Sequence, residues 1–163
     1  MPRKEIKNLL SLLDQAYAGP AWHGPCLRAA LRGVTHRAAA RRPGPGRNSI
    51  WELVVHLAFW KYAVRRRLLG EKRGNFPEKG RNFFPRPIEL SARAWQRDLA
   101  LLARMHKELL ATAASLDDSS LDRRSRGSRQ TPRYMIAGIA MHDTYHGGQI
   151  QLLKRLFHQS RVK

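Results

Sequence analysis

The chain predicts an all-α fold, an antiparallel four-helix bundle, on three observations. Apolar residues recur at helical spacing over four long stretches. Those stretches begin or end at capping and chain-breaking residues. None carries a strand signal, so nothing beyond a minor hairpin is expected outside the helices.

The first helix is expected over residues 4–18. Ile6, Leu9, Leu10, Leu13 and Tyr17 form one stripe, and Gly19-Pro20 stops it. A turn over 20–24 leads to a short helix from Pro25 to Arg32, with Pro25 suited to its first turn. Pro43-Gly44-Pro45-Gly46 is a clear break. The second long helix starts at Ser49, because Ser49-Ile50-Trp51-Glu52 matches a capping box. Its inward stripe is Leu53, His56, Leu57, Trp60, Val64 and Leu68. Residues 70–87 are rich in Gly, Pro, Asn and charge and read as a long loop, pinned to the body by Phe76, Phe83 and Phe84. The third long helix runs from Ser91 to Leu116, with Trp95, Leu99, Leu102, Met105, Leu109 and Leu110 inward. Polar residues 117–129 form a connection. Thr131-Pro132 then opens the fourth helix as N-cap and first residue. Its stripe is Met135, Ile139, His142, His146, Ile150 and Leu153.

The most informative pattern is His142-Asp143-Thr144-Tyr145-His146. Residues four apart lie on one helix face, one turn from each other, so two imidazoles there can share one transition-metal ion. His56 has a similar inward placement in another helix. Three neutral nitrogen ligands without an obvious fourth describe an open metal site of the catalytic kind. The competing reading is ordinary: an inward histidine is commonly a satisfied core residue, and such pairs also arise by chance.

Composition bounds the function. The chain has 163 residues and 42% hydrophobic content, which suits one domain with its own core over residues 1–163. A lone cysteine, Cys26, excludes a disulfide framework and fits a reducing compartment. No segment has a signal-peptide core or the apolar length of a membrane span, so a cytoplasmic location is expected. The formal charge is +19, from 31 Lys and Arg against 12 acids. Such a surface attracts polyanions and anionic small molecules. The basic residues are nevertheless spread among Arg41-Arg42, Arg65-Arg66-Arg67, Arg123-Arg124 and 161–163, without a nucleic-acid-binding signature. A solvated arginine-rich surface, with no specific nucleic-acid partner, is the expectation.

Two segments carry a family resemblance. Asn48-Ser49-Ile50-Trp51-Glu52-Leu53-Val54-Val55-His56-Leu57-Ala58-Phe59-Trp60 resembles the second helix of the DinB/YfiT-like metalloenzyme superfamily. His142-Asp143-Thr144-Tyr145-His146-Gly147-Gly148-Gln149-Ile150 resembles its last-helix motif. Helix order and loop placement extend the resemblance over nearly the whole chain, as a single DinB-like domain. It implies a four-helix bundle with a divalent metal on three histidines, which by position are His56, His142 and His146. Some relatives are S-transferases or isomerases that use a low-molecular-weight thiol such as bacillithiol or mycothiol; many have no assigned reaction.

The zinc-protease pattern H-E-x-x-H fits poorly. Its acid is Asp143 here, the position of an extended third histidine is Leu152, and no Asp or Glu follows Asp143. Glu52, one turn before His56, either orients that imidazole or closes the capping box, and the box is the favoured reading. Asp143 points about 100° away from His142 and supports either a ligand or a neighbouring helix, or is an acid among many arginines. Gln149 and Tyr145 line a cavity or simply pack. Cys26 is a helix-start thiolate or, more commonly for such a residue, a buried small apolar one. His23, His36, His106 and His158 lack metal spacing and read as surface or packing residues.

The expected chemistry follows. A divalent ion, zinc or nickel by the preferences of imidazole, lowers the pKa of a water or thiol for attack on a small electrophile. The chain has no cysteine at ligand spacing, so a thiol has to come from a cofactor. The first functional expectation is a metal-dependent transferase or hydrolase with a small-molecule substrate. The second is a non-catalytic metal- or ligand-binding bundle whose basic surface meets an anionic partner. No membrane partner is expected, and a homodimer stays open.

Overall fold

Four long helices carry the structure, and the side chains that turn inward on each explain why they pack. The computed structural model describes residues 3–72, 74–80, 82–124 and 128–159. Met1-Pro2 and the basic run 161–163 lie outside the described residues, as do 125–127 within the polar connection. The described chain is all-helical: α1 (Lys4–Tyr17), α2 (Leu27–Leu31), α3 (His36–Ala40), α4 (Ile50–Leu68), α5 (Ala92–Ala114) and α6 (Pro132–Gln159), with a 3-10 turn at Asp118–Ser120.

The long helices interlock in pairs. α4 packs on α5 and α6, and α1 packs on the same two. Short α2 lies on α6, and short α3 lies on α4 and α5. α1 buries Ile6, Leu9, Leu13, Ala16 and Tyr17, close to the expected stripe. It has no cap of its own; the Asp118 carboxylate accepts from the amides of Ile6 at 2.9 Å and Glu5 at 3.2 Å, ending the helix where four amides would otherwise be unpaired. α2 starts after Cys26, so Pro25 precedes the cap and is not in the first turn. α3 has no counterpart in the sequence-based expectation. It is one turn long, capped by the Thr35 hydroxyl on the Ala38 amide, and too short to show a period.

α5 corrects the predicted face. Trp95, Leu102, Met105 and Leu109 are buried, but Leu99 and Leu110 are only half-buried; Asp98, Leu101 and His106 take core positions. The reason is that polar core residues are paired. Asp98 accepts from Trp51 Nε1 at 2.7 Å and Arg86 Nε at 2.9 Å. Fully buried Trp51 meets Trp95 edge-on at 5.2 Å, joining α4 to α5. Aromatic side chains bury about 150–250 Å² each, so the pair is a large apolar contribution to this core.

The described residues of 70–91 carry no helix, and Phe84 is buried with Phe76 and Phe83 packed on the same core. Arg86 completes the anchoring by joining Asp98 and, at 2.7 Å, Glu78. The long loop is therefore fastened at several points against α4 and α5. That fixes the backbone of the loop where it passes over His56.

Candidate metal centre

The site begins with where α4 begins. Ser49 Oγ accepts from the Glu52 amide at 3.2 Å, and the Glu52 carboxylate accepts from the Ser49 amide at 2.8 Å. Glu52 also pairs with Arg42. Glu52 thus closes the capping box, as favoured, and the hydrogen bond of His56 goes elsewhere. The register set here turns His56 toward α6.

α6 supplies the other two imidazoles from adjacent turns. His56 Nε2 lies 3.0 Å from His142 Nε2 and 3.1 Å from His146 Nε2; the latter two are 3.1 Å apart. His56 and His146 are buried and His142 is half-buried. All three predicted ligand positions are brought to one point. Among the described residues no other His, Cys, Asp or Glu joins the group.

The outer nitrogens decide what the inner ones present. His56 Nδ1–H donates to the Asn82 backbone carbonyl at 2.8 Å, and His146 Nδ1–H donates to Gln149 Oε1 at 2.7 Å. A neutral imidazole has one proton, so both Nε2 atoms face the centre as bare lone pairs. His142 Nδ1 has no hydrogen-bonding partner among the described residues. At most one proton, on His142 Nε2, could lie inside the triangle. Lone pairs held this close repel unless a cation sits against them. The donor set fits a divalent ion: two ligands of a tetrahedral ion at zinc–imidazole bond lengths stand roughly 3.3 Å apart.

Burial keeps the rings neutral. Desolvation pushes His56 down to about 4, opposed by its bond to Asn82, with His146 adding a small push downward. Desolvation, with His146, His56 and Lys61 nearby, pushes His142 down to about 3. Desolvation lowers His146 too, opposed by Gln149. Neutral imidazole is the ligating form.

Two positioning features had no place in the sequence reading. Asn82 adopts a left-handed backbone, φ 66°, which Asn tolerates better than most residues and which turns its carbonyl onto His56. Its side chain accepts from Trp60 Nε1 at 2.9 Å. Phe83 then stacks on the His56 ring, centroids 4.1 Å apart and nearly parallel. Backbone carbonyls leave no sequence signal; the left-handed tendency of Asn before two phenylalanines was the available hint.

A cavity of about 790 Å³ opens over the histidines. Gln149 and Tyr145 line it, settling for those two the alternative between cavity and plain packing. Asp143 does not face it; it is fully buried and pairs with Lys61 of α4, so it supports a neighbouring helix. Lys61 was missed, although Leu57, Lys61, Val64 and Leu68 share a helical stripe. Cys26 is buried as a small apolar residue. His106 packs in the core against Tyr17, His23 and His158 are exposed, and His36 is half-buried.

In comparison with known proteins, the family model of the DinB superfamily aligns with residues 24–150, more than half of the chain, including α4, α5 and all three histidines. No curated protein and no solved structure matches.

Proposed function

The chain belongs to the DinB superfamily, and from that premise we propose a divalent-metal-dependent enzyme, a transferase or hydrolase acting on a small electrophile. In this reading the whole chain, 1–163, is one antiparallel four-helix bundle, and His56, His142 and His146 hold a zinc or nickel ion. When bound, such an ion supplies Lewis acidity that lowers the pKa of a water or thiol. One observation carries the reading: three Nε2 atoms converge within 3.0–3.1 Å while two of the rings have their protons committed outward.

The chain's own residues do the rest. Asn82 and Gln149 hold two imidazoles in the ligating tautomer. Phe83 and Trp60 shield His56 and His142 from water on one side. Among the described lining residues there is no Ser, Thr, Cys, Lys, Asp or Glu. The hydroxyls on the described lining are those of Tyr134 and Tyr145, and in this reading the nucleophile comes from solvent or from a low-molecular-weight thiol. No described helix is long and apolar enough to cross a membrane; a cytoplasmic protein with a small-molecule substrate fits this reading.

The same bare lining favours a second reading, a metal- or ligand-binding bundle without turnover whose basic surface meets an anionic partner. The experiment is metal analysis of protein purified without an affinity tag, followed by turnover assays with thiol and without. About one divalent ion per chain is expected, lost on replacing any one of His56, His142 or His146 by alanine and retained in His106→Ala. Saturable turnover abolished by chelation supports the enzyme; bound metal without turnover supports the second reading. Protein that neither retains nor takes up zinc or nickel sinks both metal readings.

A further inference from the structure

The cavity over the histidines is charged in only one sense. Among its described lining residues the charged side chains are Arg47 and Arg67, with no carboxylate. The rest of the wall is largely apolar, including Trp60, Val64, Met135 and Ile139.

Arg67 is the better defined of the two arginines. Its guanidinium lies over the Trp60 ring, 5.7 Å from the centroid. Its neighbours are engaged elsewhere: Arg65 pairs with Glu108 at 3.5 Å, and Arg66 donates to the carbonyls of Glu71 and Lys72 at 3.2 and 3.0 Å. No described carboxylate pairs with Arg67. Trp60 in turn meets His142 edge-on at 6.3 Å. The imidazole of His56, the indole of Trp60 and the guanidinium of Arg67 thus follow one another along α4. From His56 to Arg67 the helix axis rises about 16 Å, and long side chains lean back toward the helix start, which shortens that span.

We propose that this cavity takes an organic anion with an apolar body, its carboxylate or similar group held by Arg67 and its other end against the histidines. The proposal rests on the preceding reading for the reacting end of the ligand and on Arg67 for the charged end. A guanidinium fits the task because it presents a planar fork of donors that matches a carboxylate, and the indole keeps that fork oriented. The apolar wall accommodates the body between the two ends. A neutral ligand of the same shape leaves the guanidinium unmatched, whereas a cation is repelled.

The test compares 4-phenylbutyrate with 4-phenylbutan-1-ol by calorimetric titration of the full chain at low salt. The carboxylate is expected to bind at least about tenfold more tightly, the scale of a charge-assisted hydrogen bond. Arg67→Gln is expected to abolish that preference and leave affinity for the alcohol within about twofold. Arg67→Lys keeps part of it, because the charge remains while the fork is lost. Arg104→Gln, which removes an exposed charge outside the cavity lining, keeps it entirely. Equal affinities in the unaltered protein overturn the proposal whatever the variants do. A preference that survives Arg67→Gln but disappears in His142→Ala also overturns it, because the anion is then at the histidines. A preference that depends on Arg67 in protein shown to bind no metal supports the proposal while the metal reading falls.

Discussion

Lys61 and Asp143 form an ion pair in which neither side chain has exposed surface. It joins α4 to α6, the two helices that bring the histidines together, and Asp143 directly follows His142 in the chain. Lys61 Nζ also lies over the Tyr17 ring at 5.1 Å, and Tyr17 stacks on His106 at 3.7 Å. Each long helix therefore contributes one polar residue to the same buried layer. Desolvation pulls Lys61 down and Asp143 up, and each is drawn back toward its charged form by the other. Such a pair adds little over apolar residues of similar volume, but leaving one partner alone is costly. Lys61→Met is expected to destabilise the fold by about 3–5 kcal/mol, and Lys61→Met with Asp143→Leu by much less. Urea unfolding of both variants measures this. Equal losses would show that the charges do not depend on each other.

Gln149 is the acceptor on His146 Nδ1 that leaves the Nε2 lone pair of that ring toward the other two histidines, the tautomer that the proposed metal needs. Outer partners of this kind are worth about 10–100-fold in metal affinity. Gln149→Leu should weaken zinc binding on that scale, while Gln149→Glu, which keeps an acceptor, should retain it. Competition against a chromophoric chelator reads both. An unchanged affinity in the leucine variant would remove Gln149 from the site.

The long helices were legible because their apolar residues recur with the helical period and their starts carry caps. Ser49, Ser91 and Pro132 stand at the observed starts of α4, α5 and α6. Legibility failed where a core position is polar. Lys61 breaks the apolar stripe of α4, and Asp98 and His106 break that of α5, where a reading based on hydrophobicity placed Leu99 and Leu110 inward instead. The histidines were legible from spacing within α6 and, in α4, from the inward stripe together with the resemblance. Their orientation was not, because it depends on a carbonyl at Asn82, far from His56 in sequence and close only through the loop anchored by Phe84 and Arg86.

The +19 charge allows a simple check on nucleic-acid binding. Affinity for duplex DNA, followed by fluorescence anisotropy, should fall steeply with salt and show little sequence preference. Binding is expected to be weak and lost near physiological salt. Tight, sequence-selective binding under those conditions would displace the enzyme reading.

His106 should make stability depend on pH. It is buried, neither ring nitrogen has a hydrogen-bonding partner among the described residues, and its flat contact is the Tyr17 ring. Desolvation, then the Lys61 and Arg28 charges, push it down to about 3 from an ordinary value of 6.5. The folded state therefore resists a proton that the unfolded chain accepts. The contribution of neutral His106 is fully present above pH 6.5 and is lost as pH falls from 6.5 toward about 3. One proton taken up on unfolding corresponds to about 1.4 kcal/mol per pH unit in that window. The three cavity histidines shift in the same direction, so the unaltered protein alone does not isolate His106. The comparison is with His106→Leu, which keeps an apolar side chain against Tyr17. Urea unfolding at several pH values between 7.5 and 4.5 should show a smaller loss of stability in the variant, by up to one proton in slope. Parallel curves for the two proteins would mean that His106 accepts its proton without leaving the core.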